Sequence, residues 1–461
     1  MVRKINFLLQ KPLLPLALKI LSLIAYIVLI IFGLSAFSDD AVFLKQLRNT
    51  NLGNLIVWSV WWPAIVLMSI FWGRIWCMVC PVEMITSFFA KIGFKQKRPK
   101  WILSGWAITV FYIIILFVGI QLFAIHRNPF YMAMYLLSIV LISIIVGLLY
   151  EKNTFCRYFC PVGYMLGLYS RLAFWGWRVK EKDVCKTCKD KSCIHKNFRY
   201  NLNEKSCGVD LYPAEIDDNS ACILCAGCLK TCKNYQSEKN EKRPNPGLQY
   251  IGFATDLMKL KPLKIAEMVF VFVVSGFVIS EIWTEWDIST KILSALPDFA
   301  VSIMGIKNKI LATFLKSIIL FGIIPFFIWL LPFIVSKIFK SAVTLKDYFL
   351  LYGIAFIPII AAAHLDKAIL KFTSRLPYFQ NAVSDPIGIT TARQIIDKKI
   401  VIAENAVWLN ILVSGLLTLV MIAGIWLSIK VVKRINLKIE KTFSMYLIPT
   451  IYGGIFLIML I

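Results

Sequence analysis

The chain has 461 residues, 59% of them hydrophobic, and carries a formal charge of +25 at pH 7. Repeated apolar runs long enough to cross a bilayer as helices exclude an ordinary soluble protein. The basic excess is what the cytoplasmic loops of a polytopic membrane protein carry, so it is read as topology and not as nucleic-acid binding.

After Arg3 and Lys4 an apolar stretch runs to Phe37, with Lys19 near its start. Its length, and the lack of a small-residue cleavage site, favour a retained first helix over a signal peptide. Further spans are expected at 55–72, 101–124 and 131–150. Lys91, Lys95, Lys97, Arg98 and Lys100 lie between the second and third spans, and the other two connections carry few basic residues. The positive-inside bias then puts the N-terminus and the 91–100 loop in the cytoplasm.

Each even-numbered span runs into a cysteine pair. Cys77-Met78-Val79-Cys80-Pro81-Val82 follows the second, and Cys156-Arg157-Tyr158-Phe159-Cys160-Pro161-Val162 follows the fourth. The two Cys-Pro-Val triplets are 80 residues apart, and Lys91/Arg171 and Phe94/Phe174 keep that offset. This is an internal duplication of two helices, a cysteine turn and a short helix. Both copies have one orientation, as in parallel repeats related by an axis along the membrane normal. Such a pairing brings four thiols to the cytoplasmic membrane face. Each proline suits the first turn of a following helix, whose positive N-terminus favours thiolate. A third metal or iron–sulfur centre, a reversible dithiol pair and a structural role all fit Cys77, Cys80, Cys156 and Cys160. The chain has no Cys-x2-Cys-His, so covalent c-type haem is not expected.

Residues 178–262 turn abruptly polar and rich in lysine. They contain Cys185-x2-Cys188-x4-Cys193, then Cys207, then Cys222-x2-Cys225-x2-Cys228-x3-Cys232. The last run has the spacing of a bacterial ferredoxin half, in which three close cysteines hold one cluster and the fourth reaches the other. Lys233 stands where a proline usually follows. Cys222, Cys225, Cys228 and Cys207 are assigned to one 4Fe-4S cluster, and Cys185, Cys188, Cys193 and Cys232 to the other. Structural zinc also uses Cys-x2-Cys pairs, but eight cysteines ending in this run favour clusters. Their grouping on a basic loop argues for reduced thiols, not disulfides. His195 is read as a surface histidine, and 236–246 as a charged linker. The basic surface suits an acidic redox partner, although a solvated face explains it equally well.

The duplicated Cys-Pro turns ahead of a two-cluster segment resemble the NapH/NosR family of membrane-bound polyferredoxins, over roughly residues 55–235. The resemblance implies an electron-transfer protein linking the quinone pool or cytoplasmic donors to periplasmic reductases, with its ferredoxin domain in the cytoplasm. It implicates Cys77, Cys80, Cys156 and Cys160 together with the eight ferredoxin cysteines. The family's membrane motif is usually Cys-x3-Cys-Pro, which 156–161 obeys and 77–81 does not.

Five further spans are expected at 265–283, 317–335, 348–364, 406–429 and 443–461. Lys337, Lys340 and Lys346, then Lys430, Lys433, Arg434, Lys438 and Lys441, fall in cytoplasmic connections, and 365–405 falls outside. This half has no cysteine, and one histidine cannot ligate a bis-haem pair. His364, read as the end of an apolar helix, and Glu281 are candidates for a quinol site, because ionisable residues at membrane boundaries can relay protons. Trp283, Glu285, Trp286 and Asp287 crowd beside Glu281. Interfacial anchoring is the plainer explanation for these residues, for Asp366 and Lys367, and for His126-Arg127.

The expected fold is an all-α polytopic membrane protein of about nine transmembrane helices, N-terminus inside, with an inserted small α+β two-cluster ferredoxin-like domain. The expected domains are a four-helix membrane part (1–177), the ferredoxin-like part and linker (178–262), and a five-helix membrane part (263–461). The expected function is electron transfer at the inner (cytoplasmic) membrane, between a quinol and a partner redox protein. The path uses two 4Fe-4S clusters and the membrane-face cysteines. Whether the chain is itself a quinol dehydrogenase depends on its oxidising quinol directly. A copper or iron reductase for metalloenzyme maturation and a redox-coupled transporter are the alternatives. A cluster-based regulator would need a DNA-binding or signalling module, and none is present in the sequence.

Overall fold

The computed structural model describes all residues except Met1, Pro12, 195–205, 233–243, 438–442 and Ile461, and the side chains of 459 and 460. His195, Lys233, Lys438, Lys441 and most of the 236–246 linker lie outside the described residues. In a bilayer, apolar runs must satisfy their backbone donors and acceptors internally, which here means helices. Among the described residues, seven helices are long and apolar enough to cross a membrane: Leu13–Leu34, Leu52–Trp72, Pro129–Leu149, Ile265–Trp283, Lys309–Ile338, Leu345–Ser384 and Val407–Asn436. Two shorter apolar helices, Trp106–Leu122 and Phe443–Ile458, fall at the third and ninth expected spans. The chain is an all-α polytopic membrane protein, with one two-stranded sheet among the described residues.

Two stretches depart from expectation. His364 lies in the middle of the helix Phe356–Thr373, not at the end of one. Asp366 and Lys367 end the apolar window but do not break a helix, because Leu, Ala, Ile and Lys around them all propagate it. Residues Asp287–Ile303, given no element from the sequence, also form a helix, with Asp287 in its first turn where the dipole favours an acid.

Contacts divide the chain into two compact units that do not follow chain order. The first comprises Met1–Val28, Leu67–Ile108 and Leu136–Asp256, and holds both Cys-Pro turns and the cysteine-rich segment. The second comprises Leu29–Val66, Thr109–Tyr135 and Leu257–Ile461. The boundaries at 177 and 262 follow the chain, whereas this division follows packing.

In the first unit, strands Trp175–Val179 and Pro246–Tyr250 pair antiparallel, Trp175 opposite Tyr250 and Val179 opposite Pro246. They bracket the segment that carries the eight cysteines. Trp177, Ile216, Leu224, Leu229 and Leu248 form its core, joined by Leu9 from the helix Val2–Gln10 and by Ile75, Met78 and Val79 from the first cysteine turn. Val2, Ile5 and Leu9 recur at helical spacing and present one apolar stripe. Asn6 on the same helix donates from Nδ2 to the Leu248 carbonyl (3.0 Å) and accepts at Oδ1 from the Leu248 amide (2.9 Å). Its amide thereby satisfies a strand edge that would otherwise be open.

In the second unit the buried helix Phe356–Thr373 packs along Val407–Asn436 and Ile265–Trp283. A Cβ at Gly424 would lie 2.6 Å from Ala362 Cβ, so the two backbones approach closely through small residues. Trp329 stacks on Phe356 at 3.8 Å between ring centroids and donates from Nε1 to Ser275 Oγ (3.1 Å).

Candidate metal centres

Cys185, Cys188, Cys193 and Cys232 line one cavity, together with Tyr212 and Asn245. Cys207, Cys222, Cys225 and Cys228 line another, walled by Trp177, Val209, Leu211, Ile223 and Ala226. Backbone conformation gathers the second set. Leu224 (φ 53) and Ala226 (φ 58) are both left-handed, which folds the chain tightly between Cys222 and the helix Gly227–Thr231 that carries Cys228. Each costs about 1 kcal/mol for a residue with a Cβ, and both are held there by burial in the core.

The sulfurs already receive hydrogen bonds. Asn245 Nδ2 donates to Cys185 Sγ (3.1 Å) and the Lys191 amide to Cys188 Sγ (3.4 Å). The Leu211 amide donates to Cys207 Sγ (3.3 Å) and Trp177 Nε1 to Cys228 Sγ (3.0 Å). Such donors stabilise negative sulfur and tune a cluster held by it. Without a metal, burial and the neighbouring sulfurs push the Cys193 and Cys222 thiols up to about 12, and Cys228 well above its ordinary value. Crowded thiols of this kind suit a cationic centre, which deprotonates the thiols that coordinate it. Among the described residues no three Cys, His, Asp or Glu side chains converge as closely as a single metal ion requires. Each quartet lines a single cavity, and a cubane takes its four thiolates at separate corners.

The two Cys-Pro turns have the same local design. Helix Ile75–Val79, extended Cys80 and helix Pro81–Ile92 are matched by helix Thr154–Tyr158, extended Cys160 and helix Pro161–Tyr169. The Gly163 amide donates to Cys160 Sγ (3.3 Å). Cys156 feels the charges of Cys160, Cys80 and Cys77, so the structure brings all four thiols into one neighbourhood. The helix N-terminus was expected to favour thiolate there. Backbone donors do pull in that direction, but burial outweighs them and pushes Cys80 up to about 12 and Cys160 to about 11.

Three residues that sequence reasoning passed over organise this site. Arg74 is only 4% exposed, and its Nη1 donates to the carbonyl of Ser220, two residues before Cys222 (2.9 Å). Its Nη2 lies where a Cβ at Gly163 would come within 2.8 Å, beside Cys160 Sγ. Burial opposes its charge, yet the Cys77, Cys160 and Cys156 sulfurs hold the guanidinium above its ordinary value. Glu83, also buried, accepts from Asn153 Nδ2 (2.6 Å) and Ser87 Oγ (2.9 Å) and pairs with Lys19. The backbone N–H of Asn153 in turn donates to the carbonyl of Gly208, next to Cys207 (2.9 Å). The signal was there: a lone Arg and a lone Glu flanking Cys-Pro in a tryptophan-rich apolar stretch are costly unless partnered.

In the second unit, His364 Nε2 accepts from Trp62 Nε1 (3.0 Å). Glu281 pairs with Lys367 (3.4 Å), which also donates to the Glu281 carbonyl (2.6 Å) and pairs with Glu285. Glu281, Glu285, Lys367, His126 and Arg127 line one polar cavity, and His364 is not in its lining. Among the described residues, neither carboxyl oxygen of buried Asp366 has a hydrogen-bond partner.

A sequence profile described as a 4Fe-4S binding domain matches residues 54–99 and 132–181. These stretches contain all four cysteines of the Cys-Pro turns and end before Cys185. The chain is similar to two uncharacterized proteins of Methanocaldococcus jannaschii: MJ0750, 24% identical over 41% of this chain and 80% of that one, and MJ0749, 23% identical over 36% and 65%. It is also similar to the regulatory protein NosR of Stutzerimonas stutzeri, 23% identical over 49% of this chain and 39% of NosR. No solved structure matches. Fold and matches together define a multi-pass membrane protein with a 4Fe-4S binding domain. Its resemblance to membrane iron–sulfur proteins of the NosR/NapH type, drawn above from cysteine spacing, is supported by the 4Fe-4S match and by NosR.

Proposed function

We propose that this protein is an integral-membrane electron carrier with one 4Fe-4S cluster in each cysteine-lined cavity and a third iron–sulfur centre on Cys77, Cys80, Cys156 and Cys160. A 4Fe-4S cluster supplies one-electron exchange at a potential set by its surroundings. The observation that carries the reading is Arg74, one buried cation that reaches both the Cys-Pro thiols and the loop entering Cys222. Electron transfer breaks no substrate bond. The residues therefore hold thiolates, exclude water and place charge, as Trp177, Asn245 and Arg74 do here. In this reading the chain sits in the inner membrane with its N-terminus and cluster segment in the cytoplasm, as the lysine distribution supports. A quinol is the membrane donor, passing two electrons to the clusters one at a time and releasing two protons to water as it becomes a quinone, and a partner redox protein is the acceptor. His364 and Glu281 are the first residues to substitute in seeking the quinol site.

The test is iron and acid-labile sulfide per chain on anaerobically purified full-length protein. Three centres predict about twelve of each, falling by about four in Cys156→Ser. A value near eight that Cys156→Ser leaves unchanged would reduce the Cys-Pro thiols to a dithiol or structural role. A value near four would sink the assignment of the eight ferredoxin cysteines.

A further inference from the structure

The second unit contains a polar cavity of about 230 Å³ whose lining includes Glu281 but not His364, and whose cations the redox reading does not use. Five cationic side chains line it, Arg48, Arg127, Lys367, Lys371 and Arg375, against the carboxylates of Glu281 and Glu285. Lys367 engages both carboxylates. Among the described residues, the remaining four cations have no carboxylate within ion-pair distance. Like charges held together in a partly buried site repel, and an excess of this kind is retained at a cost unless an anion compensates it.

The fold holds these groups in place. Lys367 and Lys371 are one helical turn apart on Phe356–Thr373, so they share a face. Lys371 Nζ lies 5.5 Å from the centre of the Trp58 ring, and Arg375 donates to Asn49 Oδ1. Arg48 comes from the helix Ala41–Thr50. Among the described residues, two buried donors of the lining, Arg48 Nε and Trp58 Nε1, have no hydrogen-bond partner. Buried donors normally find acceptors, so their placement around one cavity points to a ligand that brings acceptor oxygens. Its wall is almost wholly polar, unlike the apolar walls that enclose a quinone-like ring. Guanidinium forks and ammonium groups together match the geometry and charge of phosphate oxygens.

We propose that this cavity is a binding site for a phosphate-type oxyanion, held chiefly by Arg48, Lys371 and Arg375, with Arg127 at its exposed rim. The phosphate can be free in solution or belong to an anionic lipid headgroup, since the cavity exceeds what one inorganic phosphate fills. In the proposed topology all the contributing segments lie on the non-cytoplasmic side. The inference is independent of the clusters.

The test uses the full-length protein in detergent and measures equilibrium binding of radiolabelled inorganic phosphate. Saturable binding is expected, weakened about tenfold or more by Lys371→Gln or Arg375→Gln, the loss of one charge-assisted contact. Iron per chain should not change. Arg127→Gln, on an exposed loop, serves where a buried substitution prevents folding, and is expected to weaken binding severalfold. A second arm reconstitutes the protein in phosphatidylcholine vesicles with cardiolipin and follows retained cardiolipin by native mass spectrometry. Retention lost in the same variants, without free-phosphate binding, assigns the site to a headgroup. Binding of neither probe, or equal binding by wild type and all variants, overturns the proposal.

Discussion

The two cysteine-lined cavities offer the same ligands with different access. Around Cys207, Cys222, Cys225 and Cys228 the wall is Trp177, Ile223, Ala226 and their apolar neighbours, and Cys222 itself is buried. Around Cys185, Cys188, Cys193 and Cys232 most of the preceding chain from Glu181 to Lys191 is exposed, and the contacts are Asn245 and a backbone amide. Ligand identity therefore does not distinguish them; dielectric and access do. Reduction adds negative charge, which an apolar wall disfavours and a nearby cation such as Arg74 offsets. The exposed site suits exchange with a partner, and the buried one suits relay toward the Cys-Pro thiols.

The strongest way to break this comparison is to remove one ligand from each set. Cys222→Ser is expected to lose about four irons and to lower the unfolding temperature, because a hydroxyl replaces a buried cluster ligand in the core. Cys185→Ser should lose about four irons with a smaller thermal shift. Equal shifts, read by calorimetry beside the iron assay, would erase the distinction. Next in size is the response to a chelator. Iron should leave in more than one phase, the half-exposed set first, and a single phase would count against unequal access.

Arg74→Gln separates charge from wall. It should cost about 3 kcal/mol of stability, as expected when one member of a buried charged cluster is removed. It should also lower the midpoint potential of the nearest centre in a redox titration followed by electron paramagnetic resonance. An unchanged potential would show that the guanidinium is structural only. The smallest expected effect is that of Trp177→Phe, which keeps an aromatic ring, though a smaller one, and deletes the Nε1 donor to Cys228. A loss of about 1 kcal/mol is expected, with a slight fall in the potential of the buried site and none in the exposed one. A shift in the exposed site alone would place the donor on the wrong cluster.

Much of the site was legible because cysteine spacing is a local quantity. Cys222, Cys225 and Cys228 sit on a few residues of turn and helix, and Cys232 follows at the helix end, where it lines the other cavity. The repeat of the Cys-Pro turns was legible for the same reason, since an offset of 80 needs no tertiary information. His364 was misplaced at a helix end because a charge pair was read as a boundary. Arg74, Glu83 and Asn153 escaped notice because their meaning lies in partners far along the chain, Ser220 for Arg74 and Gly208 for Asn153.

The sequence by itself determined that this is an all-helical membrane protein with cysteines spaced for iron–sulfur clusters, because hydropathy and ligand spacing act over a few residues to a few turns. Only the tertiary structure decided which thiols are buried, that Arg74 reaches the Cys-Pro thiols and the loop entering Cys222, and that cations from Arg48 to Arg375 surround one cavity. Burial and electrostatic neighbourhood depend on segments hundreds of residues apart being packed together, and no local pattern encodes that.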